Sequence, residues 1–371
     1  VVVVNTCTVT GEAQKKTRKT VRHVLRQHPA ALVVVTGCAA AIDPDEFTEM
    51  SSRVRVVAKP AVADMVAAMD DSAIHGNLAD LRPLRMGDEY PTRVGVKIQD
   101  GCDNACTFCI VHIARGKSRS REPSECIEEV RRLHDAGARE IVLTGIDLGN
   151  YRFDDVVLPD LIGLMIDVAP QARFRISSIE PPSVTERLVA IMGEQDGRIC
   201  RHLHIPLQSG SGKVLFEMNR RYSEGDYADL VASLYRAMPQ MSISTDIIVG
   251  FPGETEEDFQ QTLDMVRLCR FSKVHAFRYS KRSGTPAAIR ADQVAPEVAA
   301  ERAARLAQVA DEVRRCEQEK RIGTTERVLV EQEGLATTES YFTARVPKTF
   351  PRGALVSCTL TDLDKDGIFS V

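Results

Sequence analysis

The sequence predicts an α/β protein whose centre is a partial (β/α)6 barrel, with a smaller α/β domain before it and a short all-β domain after it. Three observations carry this. Strand-like and helix-like runs alternate six times between residues 94 and 321. A strand-helix-strand pattern precedes them, and from residue 326 onward only short alternating strands remain. Six strand-helix pairs with parallel connections suit an open barrel better than a doubly wound sheet, and in such barrels chemistry collects at the C-terminal strand ends.

The chain opens with VVVVNTCTVT, an apolar β-branched run ending at Cys7, and without a methionine. Residues 12–28 read as a helix with Val21, Val24 and Leu25 inward and Lys15, Lys16, Arg18, Lys19, Arg22 and Arg26 outward. LVVVTGC, residues 32–38, then repeats the strand, turn and cysteine pattern. A right-handed crossover makes the two strands parallel, so Cys7 and Cys38 are expected at one sheet edge, a ligand geometry. Burial as small apolar residues is the competing reading. Residues 70–92 are polar and read as a connector, giving expected domains of 1–75, 93–322 and 323–371.

The barrel pattern runs 94–99, helix 124–136, 140–144, 159–169, 173–178, 184–192, 202–207, 211–218 with 225–238, 242–249, 256–270, 273–279 and a long helix near 297–321. After its first strand stands DGCDNACTFCIVHIARG, in which Cys102, Cys106 and Cys109 form a C-x3-C-x2-C array. Three thiolates on one short loop are soft donors suited to an iron-sulfur cluster, or to zinc given a fourth ligand. A zinc knuckle or three unrelated buried cysteines are the alternatives. Polar residues recur at the other strand ends: Thr144 and Gly145, Ser178 and Glu180, His202 and His204 followed by Gln208, Ser209 and Gly210, then Asp246 and Gly250. Their recurrence suggests a lined pocket, with Gly145, Glu180 and Gln208 as its cofactor-binding residues.

The cysteine array resembles that of the radical S-adenosylmethionine (SAM) superfamily. In that family three cysteines hold a 4Fe-4S cluster with one iron open to SAM, and the aromatic residue before the last cysteine, here Phe108, lies against adenine. NTCTVT, VTGCAA, IQDGC, ARGKSRSR, SSIEPP, HIPLQSGSGKVL, MNRRY and TDIIVGFPGETEEDF together resemble the methylthiotransferases, most closely the tRNA threonylcarbamoyladenosine subgroup. His112, Arg278 and Lys281 depart from that pattern, which commonly has prolines there. The resemblance makes Cys7 and Cys38 ligands of a second 4Fe-4S cluster whose third cysteine lies upstream of Asn5, before this sequence begins. It implies cleavage of SAM to a 5′-deoxyadenosyl radical, sulfur from the second cluster and a methyl group from a second SAM. The product would be the 2-methylthio derivative of threonylcarbamoyladenosine beside the tRNA anticodon. Isopentenyladenosine tRNA, an aspartate of a ribosomal protein, or a non-catalytic RNA-binding relic remain open as alternatives.

ERVLVEQ, YFTARVP, ALVSCTLTD and GIFSV read as a small antiparallel β-barrel. It resembles the TRAM domain of tRNA-modifying enzymes, with Tyr341 and Phe342 as base-stacking candidates, one of them expected in the core by alternation, and Arg345, Lys348 and Arg352 as a basic stripe. A buttress for the barrel is the plainer reading. The formal charge of −4 excludes uniform attraction to nucleic acid, so contact must come from local faces, such as Arg115, Lys117, Arg119 and Arg121. No apolar run is long enough to cross a bilayer, and ten cysteines without a secretory leader fit a reducing, cytoplasmic setting. The expected partners are the tRNA anticodon loop, an electron donor such as flavodoxin or ferredoxin, and a sulfur source.

Overall fold

The computed structural model describes residues 1–7, 11–68, 92–195 and 197–371; the connector expected at 70–92 lies almost wholly outside them. The chain divides into two compact units. One gathers the N-terminal residues with 102–117 and 280–288, and the other holds the remaining residues of the barrel segment together with the C-terminal segment.

In the first unit, β1 (Val2–Thr6), β2 (Val33–Gly37) and β3 (Val54–Val56) form a parallel sheet in the order β1-β2-β3. Val33, Val34 and Val35 are fully buried, as expected of a central strand covered on both faces. The crossover helix α1 (Gly11–Gln27) turns Val21 into a core shared with Val4, Ala39, Ala40 and Phe47. Two short helices follow β2: α2 (Cys38–Ile42) and α3 (Pro44–Thr48), the second capped by Asp43, whose side chain accepts from the Glu46 amide. α4 (Val62–Ala68) ends the N-terminal part, and α5 (Val111–Arg115) packs against α2. Sequence pattern alone does not reveal β3. Its three residues are too short to show a period, and pairing with β2 defines it.

The second unit begins with β4 (Arg93–Lys97), followed by β5 (Gln99–Asp100), which pairs with β6 (Arg119–Ser120). The expected strand 94–99 is thus broken at Ile98. Then come α6 (Pro123–Asp135), β7 (Glu140–Thr144), the hairpin β8 (Arg152–Phe153) and β9 (Val156–Val157), α7 (Leu158–Val168), β10 (Arg173–Ile176) and α8 (Glu186–Glu194). β11 (His202–His204), α9 (Gly212–Glu217), α10 (Glu224–Ala237), β12 (Ser242–Val249), α11 (Glu256–Cys269), β13 (Lys273–Arg278) and α12 (Pro296–Glu319) complete the alternation. β11 is shorter than the expected 202–207; Pro206 has no amide to extend the ladder.

The major strands make two parallel ladders, β10-β7-β4 and β11-β12-β13. The Ser178/His204 bridge and the Ile179 amide bonding to the His204 carbonyl at 2.9 Å join them into one curved six-strand sheet. Ile141, Leu143, Phe174, Leu203, Ile243 and Ile247 are buried in its core. Two helix starts carry capping boxes: Thr255 with Asp258 on α11 and Ser223 with Asp226 on α10, each satisfying amides that a helix leaves open.

The C-terminal segment forms β14 (Thr325–Gln332), β15 (Leu335–Thr338), β16 (Thr343–Arg345), β17 (Leu355–Thr359), β18 (Asp362–Leu363) and β19 (Phe369–Ser370) in the order β17-β14-β15-β16-β19-β18. All its pairings are antiparallel except β16 with β19, a departure from the all-antiparallel expectation. β15, a Thr-rich strand without apolar alternation, gives no strand signal in the sequence.

This module packs on the N-terminal strand ends. Glu140, at the start of β7, is buried between Arg173 and Arg175, at 2.6 and 2.7 Å. The two guanidiniums also donate to the carbonyls of Arg327, Thr337, Thr338 and Glu339. Arg93 pairs with Glu331 and Arg201 with Glu339. The module therefore supplies acceptors to buried charges that would be costly if left open.

Candidate active site

In the first unit the cysteine loop is closed at its base by the Cys102 amide bonding to the Gly116 carbonyl at 3.1 Å. Gly116 has φ of 73°, a turn favouring a residue without a side chain. The Ala287 amide donates to the Thr107 carbonyl at 3.0 Å, tying the 280–288 segment to the loop. Asn104 N–H points at Cys102 Sγ and Val111 N–H at Cys109 Sγ, both at 3.4 Å. Cys106 is buried, and Cys102 and Cys109 are half-buried. Amide donation to cysteine sulfur is how proteins orient and tune cluster ligands, so donor set and surroundings both fit an iron-sulfur cluster. Phe108 is half-buried on the same loop.

Thr6 and Gly37 are register partners at the ends of β1 and β2, which sets Cys7 and Cys38 at one sheet edge. Cys7 is exposed and Cys38 buried. Gly37 has φ of 98°, and a Cβ there would lie 2.4 Å from the Thr6 carbonyl oxygen, so close approach of the strand ends requires glycine. The Thr6 hydroxyl accepts from the Ala40 amide at 3.1 Å and fixes the start of α2. Arg115, at the end of α5, donates from Nε to Cys38 Sγ at 3.0 Å. Sequence spacing gives no sign of that contact.

In the second unit the C-terminal strand ends carry a polar group of residues. Glu180, after β10, pairs with the buried Arg220. Burial raises the Glu180 pKa, Arg220 opposes the rise, and the charges of Asp147 and Asp246 add to it. Tyr222 anchors this corner, its hydroxyl donating to the carbonyls of Pro206 and Leu207. Gly145 gives room to a side chain of the protein itself: a Cβ there would lie 2.9 Å from Gln99 Oε1. Gln99 is fully buried; its oxygen accepts from the Ile146 and Asp147 amides, and its nitrogen donates to the Asp100 and Gly101 carbonyls and to Ser118 Oγ. It is the clamp of the first two strand ends, and a lone glutamine in a strand gives no signal of that.

Much of the QSGSGK and GFPGET motifs is architectural. The Gly210 amide bonds to Thr262 Oγ1 at 3.0 Å, Ser211 and Lys213 both reach Asp258 at 2.7 Å, and Glu254 takes the Gly250 amide and Arg302. Gln208, with φ of 66°, forms a bridge to Ile247. In the C-terminal module Phe342 is core, and Tyr341 lies under Arg175 at 4.5 Å and beside the His202 ring at 4.9 Å. Arg345 pairs with Asp364, Lys348 with Glu333, and Arg352 donates to the Glu331 carbonyl. Arg121 pairs with Glu129, whereas Lys117 and Arg119 are exposed.

Residues 96–266 match the Radical SAM superfamily, and residues 1–59 match the family described as Uncharacterized protein family UPF0004. Threonylcarbamoyladenosine tRNA methylthiotransferase MtaB of Bacillus subtilis is 41% identical over 84% of this chain and 72% of its own length. The protein of the same name from Chlamydia pneumoniae is 34% identical over 99% of this chain and 87% of its own. The chain belongs to the radical SAM methylthiotransferase family. A second branch of it is also similar: tRNA-2-methylthio-N(6)-dimethylallyladenosine synthase of Salinispora arenicola is 38% identical, over 89% of this chain and 69% of its own. Among solved structures, the radical S-adenosylmethionine methyltransferase TsrM from Kitasatospora setae, with cobalamin and a 4Fe-4S cluster bound, has a TM-score of 0.60 at 15% identity, covering 77% of this chain and 65% of that one. That likeness shows the radical SAM fold, and a family of this fold uses a 4Fe-4S cluster and SAM. Among the described residues no helix is long and apolar enough to cross a membrane.

Proposed function

We propose that this methylthiotransferase adds a methylthio group to threonylcarbamoyladenosine beside the anticodon of tRNA. The relatives at 41% and 34% identity that carry that substrate in their names support the assignment. Cys102, Cys106 and Cys109 would hold the SAM-binding cluster, with the Asn104 and Val111 amides on two of the sulfurs. When bound, cluster and SAM supply the radical that opens an unactivated aromatic C–H bond, chemistry beyond ordinary acid-base groups. Phe108 would bear on the adenine of SAM, and Gly145, Glu180 and Gln208 would shape the cofactor and substrate end of the barrel. The pair of Glu180 with Arg220 keeps a charge-balanced hydrogen-bonding site at that end.

Cys7 and Cys38 would be ligands of a second cluster and Arg115 its hydrogen-bond donor. The family motifs around both cysteines and their common sheet edge support that reading. The residues present fit such a cluster in donor type. On α1, Lys15, Arg18, Lys19, Arg22 and Arg26 line one surface depression. Arg18 is paired with Glu46, and the other four are exposed, so this face suits phosphate contacts better than the internally paired basic residues of the TRAM-like module.

The deciding experiment offers the purified, anaerobically reconstituted enzyme two tRNAs, one bearing threonylcarbamoyladenosine and one bearing isopentenyladenosine, with SAM and a reductant. Methylthiolation of the first alone supports the assignment. Modification of the second alone would move this chain to the other branch.

A further inference from the structure

Three parallel strands of the second unit bring two imidazoles and a carboxylate together. The register pairs His204 with Ser244 across β11 and β12, and Asp246 with His275 across β12 and β13. Side chains two residues apart on a strand share a face, so Ser244 and Asp246 project together and both meet His204. One donor atom from each of His204, Asp246 and His275 lies within 4.8 Å of the other two. His204 Nε2 is 3.3 Å from Asp246 Oδ1, and the His204 and His275 rings meet edge to face at 5.7 Å.

We propose that His204, Asp246 and His275 bind a divalent transition-metal cation of the zinc or ferrous class, using residues that neither cysteine site employs. Bond lengths of about 2.0–2.2 Å in a tetrahedral site place neighbouring donors about 3.3–3.6 Å apart, the separation already present between His204 and Asp246. The other ring nitrogen of His204 is 3.0 Å from Ser244 Oγ, and that hydroxyl is 3.1 Å from His202 Nε2. A metal bound at His204 Nε2 in place of the proton that now faces Asp246 would set Nδ1–H to donate to Ser244 Oγ, and that hydroxyl to His202 Nε2. A second-sphere bond of this kind fixes the tautomer a metal requires. Two imidazoles and one carboxylate from adjacent strands leave coordination positions open, the ligand set of metal sites that take a further oxygen donor. The carboxylate of a threonylcarbamoyl group would be such a donor, a consequence that rests on the substrate proposed above; the metal site itself does not.

The test uses zinc as the probe. Full-length protein with its clusters loaded is equilibrated with zinc, freed of loose metal, and analysed for zinc and iron by plasma mass spectrometry, with X-ray absorption at the zinc edge. The wild type is expected to keep about one zinc, with nitrogen and oxygen neighbours at about 2.0–2.2 Å. His275→Ala and Asp246→Asn should lower zinc affinity at least 10-fold with iron content unchanged, and His275→Gln, closer in size, guards against a folding artefact. Zinc surrounded by sulfur at about 2.3 Å, zinc content unaffected by both substitutions, or no retained zinc would each overturn the proposal. Because the readout is metal content, it stands or falls separately from the tRNA substrate.

Discussion

Arg115 donates from Nε to Cys38 Sγ at 3.0 Å, joining residues 77 positions apart. Arg115 closes α5, directly after the Cys102 loop, and Cys38 opens α2, against which α5 packs. The segment carrying the first cysteine array is therefore built into the same unit as the second cysteine pair. The two cysteine sites thus share one compact unit although they are far apart in sequence.

Arg115→Ala should consequently disturb the Cys7 and Cys38 site. Removing a hydrogen bond to a metal ligand lowers metal affinity by roughly 10–100-fold. Iron counted after gel filtration should fall toward the single-cluster level, with SAM cleavage retained. Full iron and an unchanged cluster spectrum would show that the contact is only packing.

Glu140→Gln should destabilise the second unit by about 3–5 kcal/mol, the usual effect of breaking a buried ion pair on one side. Burial raises the Glu140 pKa, but Arg173 and Arg175 outweigh it and hold the group at about 2, against an ordinary 4.5. A depressed carboxylate contributes fully above its unfolded value and loses that contribution as pH falls through the folded value. The difference between wild type and Glu140→Gln in denaturant melts should be largest near neutrality and shrink from pH 4.5 toward pH 2. A difference that grew on acidification would contradict the sign.

Deleting residues 326–371 should melt the barrel as well as remove the module, because Arg173 and Arg175 lose the carbonyls of Arg327, Thr337, Thr338 and Glu339. A truncated chain with an unchanged melting temperature would show the two to be independent. Loss of tRNA binding in that chain would not by itself identify an RNA-binding module.

Neutralising Lys15, Lys19, Arg22 and Arg26 together should flatten the salt dependence of tRNA binding, by about 0.7–0.9 in log-log slope for each phosphate that the face no longer neutralises. The melting temperature should stay unchanged, since all four are exposed. An unaltered slope would place the phosphate grip elsewhere on the protein.

The long elements were legible in the sequence because their patterns are long. Strands 140–144 and 242–249 fall where alternation and β-branching place them, and the helix expected at 256–270 is α11. The Cys102 loop and the shared edge of Cys7 and Cys38 were legible for the same local reasons. Val54–Val56 and Leu335–Thr338 were not, since short strands are fixed by their partners. Gln99, Arg220, His275 and Arg115 act through contacts across the fold, to which spacing along the chain is blind. Alternation was legible at Tyr341 and Phe342 as well: one of the two was expected in the core, and Phe342 is the buried one, while Tyr341 is exposed on one side and lies under Arg175.

Methylthiolation of threonylcarbamoyladenosine in tRNA can be read out by nucleoside mass spectrometry of tRNA from a strain lacking this gene, with and without the full-length gene restored. In the deletion strain 2-methylthio-threonylcarbamoyladenosine should disappear and its unmethylthiolated precursor accumulate, and both changes should reverse on restoration but not with Cys102→Ala. Persistence of the methylthio nucleoside in the deletion strain, or loss of the isopentenyl counterpart alone, would contradict the substrate assignment.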